Sequence, residues 1–553
     1  MSFDYSYQDG IEEGAWAVKK GIINAPTSSG KGYIAKRMVK TGISSLGWRS
    51  SAFFSHRLIL NKQWFGKLFD YLKDLNCPIN YIFVGSDSID YKIIKKIKVD
   101  LYKKVGPGYL SPFATTDFNE LREGFEAFKR KGYVVIVIST YQSNWVIMNA
   151  GLHFDCTFYD EAHTMVSFSK EVKNDYSEAA DINSDRKYFF TATPRETISD
   201  DGRGMNNENK FGDYICKIKP NELIEGGYIL KPILCIVSVD SKVKSMDVSK
   251  SAFNILEGDV DNKDFDSKSK SISGAMDYSR GWLRSKSAEP DKIKSKILYV
   301  CNGYGDMNGI LKSKKFKQFR RKNKGIKVYT ISSAGGIDCN GVIYKKISSR
   351  GKEHLLSDLR NLRPDEEAII LHIDTIGEGL DVPGITGVFF FRDSNLEKWL
   401  QNIGRPGRLH PEDRRRLESG DLLPNDYKNY IKPGYLVFLP YMYDNKNDFF
   451  EQKRIWLLDF RDNYGFDTSQ IINIDTLQPE NKREGIDNET SRGQRASFLK
   501  KDWEMFYKME DLRQEEINKR IESLKFSERC QEAIEKGNLE EFSSFLKKEG
   551  FYK

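Results

Sequence analysis

The chain has 553 residues, too long for one ordinary hydrophobic core, so roughly two to four domains are expected. Hydrophobic residues make up 39% and charged residues 30%, the balance of a globular protein, and no run of about 18 apolar residues predicts a membrane span. The net charge of +8, from 87 basic and 79 acidic residues, permits a polyanionic partner without demanding one.

The N-terminal stretch MSFDYSYQDGIEEG is acidic and has no apolar segment, so no secretory signal is expected. The seven cysteines (77, 156, 216, 235, 301, 339, 530) are scattered with no C-x-x-C. That pattern points to a reducing compartment, the cytoplasm, and away from a cysteine-based zinc site. Apolar runs then recur between longer amphipathic stretches: GIINA (21–25), SSAFFS (50–55), NYIFVG (80–85), YVVIVIST (133–140), FDCTFYDE (154–161) and KYFFTATP (187–194). None keeps a clean period of two, as expected of parallel strands covered on both faces. Strands alternating with helical segments predict a doubly wound α/β domain ending near residue 222.

A second series of the same kind runs from GGYILKPILCIVSV (226–239) through SKILYVC (295–301), IKVYTISS (326–333), EAIILHID (367–374) and ITGVFFFR (385–392) to YLVFLPYM (435–442). It defines a second parallel-sheet domain over 223–445, with a polar stretch at 244–271 expected to be an exposed insertion. From about residue 446 the strand signal fades; 476–496 reads as a linker, followed by two or three amphipathic helices with a break at Gly537. Trp503, Phe506 and Tyr507 lie among basic residues there, and a packing stripe is a better account of them than base stacking.

The first strand leads into INAPTSSGKGYIAKRM (23–38), a damaged copy of the phosphate-binding pattern G-x-x-x-x-G-K-[ST]. Ala25 stands at the first glycine and Gly32 at the hydroxyl position, while Gly30 and Lys31 are in place. Backbone N–H groups at the start of the following helix would face an anion, and the lysine would neutralise it. Downstream, the strand of FDCTFYDEAHTM (154–165) ends in Asp160, Glu161, Ala162 and His163. Carboxylates at a strand's C-terminal edge sit where an open α/β sheet places its ligand. An Asp there can hold hydrated Mg²⁺, and an adjacent Glu can activate water.

These motifs, in this order, resemble those of the superfamily-two nucleic-acid helicases and translocases with a DEAH box, over most of residues 1–440. The resemblance implies two tandem RecA-like P-loop domains and a helical C-terminal region. It implies ATP and Mg²⁺ as cofactors: Ala25, Pro26, Thr27, Ser28, Ser29, Gly30, Lys31 and Gly32 form the phosphate loop, Asp160 holds the metal, Glu161 orients water, and Gln8 reads adenine. QNIGRPGRLHP (401–411) looks like the sixth motif and supplies Gln401, Arg405 and Arg408; DTIGEGLDVPGI (374–385) looks like the fifth and supplies Gly379 and Asp381. An arginine facing the γ-phosphate from a second domain stabilises the charge that builds there. TATP (191–194) matches the linker that couples ATP state to movement, which casts His163, Thr191 and Thr193 as coupling residues. FSHRLILNKQW (54–64) and ISTYQS (138–143) resemble backbone-contact segments, so Arg57, Gln63, Thr140, Tyr141 and Thr375 are the expected nucleic-acid contacts. DNA is favoured over RNA, because these segments look more like the repair, recombination and restriction members. The C-terminal region could dock a protein partner.

Three residues depart from the family pattern: Ser28 where Gly is usual, Gly32 where Ser or Thr is, and Asn402 where many carry Arg. Gly32 removes one direct Mg²⁺ ligand; water, Ser28 or Ser29 could replace it. The retained lysine, acid pair and arginines point to a working ATPase motor. The rivals are a duplex translocase that does not unwind, an RNA helicase, and a binding module that has lost its chemistry.

Overall fold

The computed structural model describes residues 6–56, 58–85, 91–166, 176–196, 204–239, 263–332, 335–337, 343–344, 355, 357–373, 382–442, 446–466, 471–475 and 500–535. Two sheets organise them. The first has eight strands: β1 Lys20–Asn24, β2 Ser50–Ser55, β3 Ile79–Val84, β4 Phe113–Thr115, β5 Val134–Thr140, β6 Cys156–Asp160, β7 Lys187–Thr191 and β8 Asp213–Lys217. Their order is β4-β3-β5-β2-β6-β7-β1-β8, and every pairing is parallel. The strand β5 is buried at all seven positions, which is why its sequence VVIVIST lacks alternation.

The second sheet has nine strands: β9 Pro232–Val239, β10 Lys296–Val300, β11 Lys327–Ser332, β12 Gly335–Ile337, β13 Ile343–Tyr344, β14 Ala368–His372, β15 Gly387–Phe390, β16 Tyr435–Met442 and β17 Ile471–Asp475. The order is β13-β12-β11-β14-β10-β15-β16-β9-β17, parallel except for the β11-β12-β13 turnbacks. Both faces are covered. Leu298, Val300, Ile370 and Val388 pack on one side, and Ile297, Tyr299, Ile369, Leu371 and Phe389 on the other. Two tandem RecA-like domains result.

Several sequence expectations change. The short β4 and β8 are additional strands, as are β12 and β13. The strand signal does not end near 446, because β17 pairs parallel with β9. The first strand of the second series begins only at Pro232, after the Gly226–Gly227 turn. Within the stretch expected to be an exposed insertion, residues 263–271 instead open a 24-residue helix, Lys263–Lys286, and bury Ser269 and Ser271. Ser269 donates to the Phe265 carbonyl at 2.6 Å, which satisfies its hydroxyl inside the helix. The described part of the C-terminal segment is one 36-residue helix, Lys500–Glu535. No Gly or Pro interrupts it before Gly537, which lies outside the described residues. Trp503 and Phe506 are buried against Phe450, the Phe506 ring stacked at 4.8 Å, so this stripe packs and does not stack bases.

Candidate nucleotide site

The loop after β1 begins with Ala25 donating its N–H to the Thr191 carbonyl at the end of β7 (3.0 Å). It ends at Gly30, whose φ of +86° starts the helix Lys31–Ser45 with no side chain capping it. The positive φ requires glycine at 30, and a Cβ there would also lie 2.7 Å from Nε2 of Gln8, displacing that amide. Gln8 donates to the Tyr7 hydroxyl (2.8 Å), and Tyr7 donates to the Ser29 carbonyl (2.6 Å). The Gln8 Oε1 is buried without a hydrogen-bond partner and suits an amino-group donor. Tyr7 lies 4.4 Å from Tyr228 of the second domain, ring to ring, and burial pushes its phenol up to about 12.

Lys31 is buried with Nζ on the carbonyls of Ala25 (2.7 Å) and Pro26 (3.2 Å), in the cup of the loop. Asp160 stands at the end of β6. Burial, then the neighbouring Glu161, raise its carboxyl above the usual range; the Trp64 hydrogen bond and the Lys31 charge oppose them. Glu161 adopts φ +51°, a strained conformation for a side chain this large, and its Oε2 is buried without a hydrogen bond. The loop hydroxyls Thr27 Oγ1 and Ser29 Oγ are also buried without partners. Two carboxylates and orphaned hydroxyl oxygens beside a lysine are the donor set a hard cation with a phosphate ligand takes, so the residues fit Mg²⁺-ATP. Among the described residues no cluster of three or more His, Cys, Asp or Glu forms a separate metal cage.

The second domain meets this loop directly. Helix Leu396–Gly404, capped by Asn395, delivers Arg405 and Arg408. Ser28 Oγ donates to the Gly404 carbonyl (2.8 Å) and accepts from Arg408 Nε (3.2 Å). A Cβ at Gly404 would come within 2.5 Å of Thr27, so the helix end and the phosphate loop are in contact. Gln401 and Arg405 are buried at the same junction; Asn402 turns back to the Lys398 carbonyl (2.8 Å). Beneath the arginine loop the buried Lys432 amine donates to the carbonyls of Pro406 and Arg408, and burial, aided by Arg408, lowers it to about 7.

A second bridge couples the halves. His163 Nε2 lies 2.8 Å from Glu397 Oε1, and its Nδ1 lies 2.9 Å from the Thr191 hydroxyl. With the proton on Nε2, the ring donates to Glu397 and accepts from Thr191, whose oxygen also takes the Thr193 N–H (3.1 Å). Arg195 donates to the other Glu397 oxygen at 2.5 Å, and Glu161 lies 3.6 Å from His163. Burial works against the Glu397 charge, but His163 and Arg195 overcome it and hold the carboxyl at about 2. Its pairing is therefore complete above the ordinary carboxylate range and is lost only as pH falls through about 2.

The structure thus gathers Gln8, Ala25 to Gly32, Asp160, Glu161, His163, Thr191, Thr193, Gln401, Arg405 and Arg408 around one junction. Arg57, Thr375, Gly379 and Asp381 lie outside the described residues, as does the side chain of Gln63. Thr140 ends β5 with its hydroxyl 3.2 Å from Ser143. Tyr141 is a correction: its ring is buried against Phe54, and its hydroxyl donates to the Asp160 carbonyl (2.7 Å), so its side chain cannot reach nucleic acid. Ser28 does not lean toward the metal-ligand position at Gly32; it faces the second domain. Its φ of +71° explains why glycine suits this place. Ser28→Ala keeps that strain and loses the Arg408 link, whereas Ser28→Gly relieves the strain. The alanine variant is expected to be less stable than the glycine variant by about 1 kcal/mol, read as a difference in thermal unfolding; equal melting would refute the strain.

A phosphate loop on one parallel sheet with arginines from a facing sheet defines a two-domain P-loop NTPase. Residues 8–196 match the family described as type III restriction enzyme, res subunit, and residues 291–410 match the helicase conserved C-terminal domain. The chain belongs to the superfamily-two helicases and translocases. Among solved structures, the ATP-dependent Type ISP restriction-modification enzyme LlaBIII bound to DNA aligns with a TM-score of 0.57 and 15% identity, covering 91% of this chain and 32% of that one. A nuclease-deletion mutant of the Type ISP restriction-modification enzyme LlaGI in complex with a DNA substrate mimic aligns with a TM-score of 0.49 and 15% identity, covering 85% and 30%. This chain spans about a third of the length of those two proteins. No curated protein matches it. No helix among the described residues is long and apolar enough to cross a membrane.

Proposed function

We propose that the chain is an ATP-driven DNA motor of the DEAH type, hydrolysing ATP at the junction of its two sheets and moving along or separating DNA strands. The observation that carries this reading is the meeting of the phosphate loop with the arginine loop, Ser28 Oγ against Arg408 Nε at 3.2 Å. Lys31, already in the loop's cup, would hold the β- and γ-phosphates, and Gln8 would accept from the adenine amino group. Asp160, with Glu161 beside it, would hold Mg²⁺, which when bound neutralises charge on the phosphate oxygens. Glu161 presents its unpartnered Oε2 to the attacking water and takes up its proton. Arg405 and Arg408 neutralise the γ-phosphate from the second domain. Loss of that phosphate removes what the arginines grip, so the two halves part and DNA shifts between them. Arg57, Gln63 and Thr375 are the proposed backbone contacts; Thr140 is buried, with its hydroxyl against Ser143.

Measuring ATP turnover with and without DNA and RNA tests the reading; turnover that DNA does not raise would sink it. The rival form of the motor tracks along duplex without opening it. Strand-displacement and triplex-displacement assays run side by side separate the two. Coupling is assigned to the Glu397 bridge. Glu397→Gln is expected to cut the stimulation of ATP turnover by DNA at least about fivefold while basal turnover changes little. Stimulation that stays at the wild-type level would remove Glu397 from the coupling route.

A further inference from the structure

The helix Leu58–Leu72 follows β2 and places Trp64 beside the acid pair. Its indole Nε1–H donates to Asp160 Oδ2 at 2.7 Å, and the other oxygen, Oδ1, takes the Glu161 backbone N–H at 3.1 Å. The carboxylate is thereby fixed in rotation by one donor on each oxygen. The far edge of the same ring covers Gly32: a Cβ built there would stand 3.4 Å from both Cη2 and Cζ2 of Trp64. Phe53 braces the ring from behind at 5.3 Å between centroids. One side chain therefore touches the two places where a phosphate loop ordinarily manages its metal, the hydroxyl position after the lysine and the carboxylate at the end of β6.

We infer that Trp64 is the positioning residue of the metal-holding carboxylate, standing in for the loop hydroxyl that Gly32 lacks, with the indole edge lying against the place where a Ser or Thr side chain would stand. The inference rests on the nucleotide-site reading and deepens it. A hydroxyl at residue 32 would contribute one oxygen to the cation. The indole contributes none; it orients Asp160 and keeps a hydrogen-bond donor on the ionised carboxylate, and water completes the metal's shell. Charge-assisted hydrogen bonds of this kind carry roughly tenfold or more in an equilibrium. Trp64 is also the chain neighbour of Gln63 on this helix, so a pull on the helix from bound DNA would reach Asp160 through the indole.

The test is equilibrium binding of N-methylanthraniloyl-ADP, followed by fluorescence as Mg²⁺ is raised, in the wild type and in Trp64→Phe, Gly32→Ser and the double variant. Trp64→Phe is expected to raise the half-saturating Mg²⁺ roughly tenfold, with nucleotide affinity in chelator unchanged. Gly32→Ser alone, whose Cβ meets the indole at ordinary contact distance, is expected to leave it within about threefold of wild type. The double variant should return to within about threefold of wild type, because a hydroxyl then has both the room and the metal. A folded Trp64→Phe chain with wild-type Mg²⁺ dependence overturns the assignment. A double variant no better than Trp64→Phe overturns the compensation assigned to residue 32. A wild-type chain that binds the nucleotide at no Mg²⁺ concentration overturns the nucleotide-site reading itself, and the assignment with it.

Discussion

Arg405→Ala and Arg408→Ala are each expected to lower ATP turnover by about a thousandfold, measured in a single-turnover experiment with saturating DNA. The magnitude follows from where the side chains sit. Arg405 is buried at the end of its helix, and Arg408 reaches across the junction to Ser28. A guanidinium in such a water-poor place meets charge developing on the γ-phosphate with little screening. ADP lacks that phosphate, so its affinity should change by less than about threefold, a contrast that separates a transition-state role from general damage. Arg408→Lys keeps the charge but loses the fork, and should recover only a small part of the rate. The arginine loop is held from below by Lys432 and by Asp413, which accepts the N–H groups of Ile431 and Lys432 at 2.9 Å each, so an alanine at 408 has a fixed backbone to sit on. Turnover within tenfold of wild type in both variants would place the transition state elsewhere.

The second large effect is expected at the first domain. Lys31→Ala and Glu161→Gln should each reduce hydrolysis by a hundredfold or more, roughly the loss seen when a preorganised charge or general base is removed. The two differ in binding. Lys31 neutralises the phosphates themselves, so its loss should weaken ATP binding. Glu161→Gln is nearly the same shape and should leave ATP bound but uncut. Binding can be followed with a fluorescent ATP analogue and turnover by phosphate release. Undiminished turnover in Lys31→Ala would show that the loop is not the site.

How much of this was legible in the sequence depends on whether a feature is contiguous. Lys31, Asp160, Glu161, Arg405 and Arg408 lie in short motifs whose residue types state their chemistry, and the buried strands show up as unbroken apolar runs. Glu397 and Arg195 were missed because neither belongs to a recognisable pattern; their pairing with His163 exists only once the two sheets face each other. The one available signal was that Glu397 precedes Gln401 by a helical turn, and that spacing is common. Trp64 was read with its neighbour Gln63 as part of a nucleic-acid segment, but the helix turns the indole toward Asp160. Tyr141 was misread for the same reason, since strand ends offer no sequence sign of which residue goes inward. The strand β17 was hidden by the polar stretches around it: a five-residue edge strand carries too little pattern to stand out from a linker.

The flank built by residues after 445 has a practical side. Trp399, on the helix that presents the arginines, stacks flat on Trp456 at 4.4 Å, and its indole N–H reaches Asp459 at 3.3 Å. The helix Lys446–Tyr464 and β17 together shield that tryptophan and the open side of β9. A fragment trimmed at the apparent end of the second domain would bare a greasy indole and a row of unsatisfied peptide groups at once, an invitation to clump with its own kind. Insolubility of such a fragment would report a severed flank, not a motor that never worked.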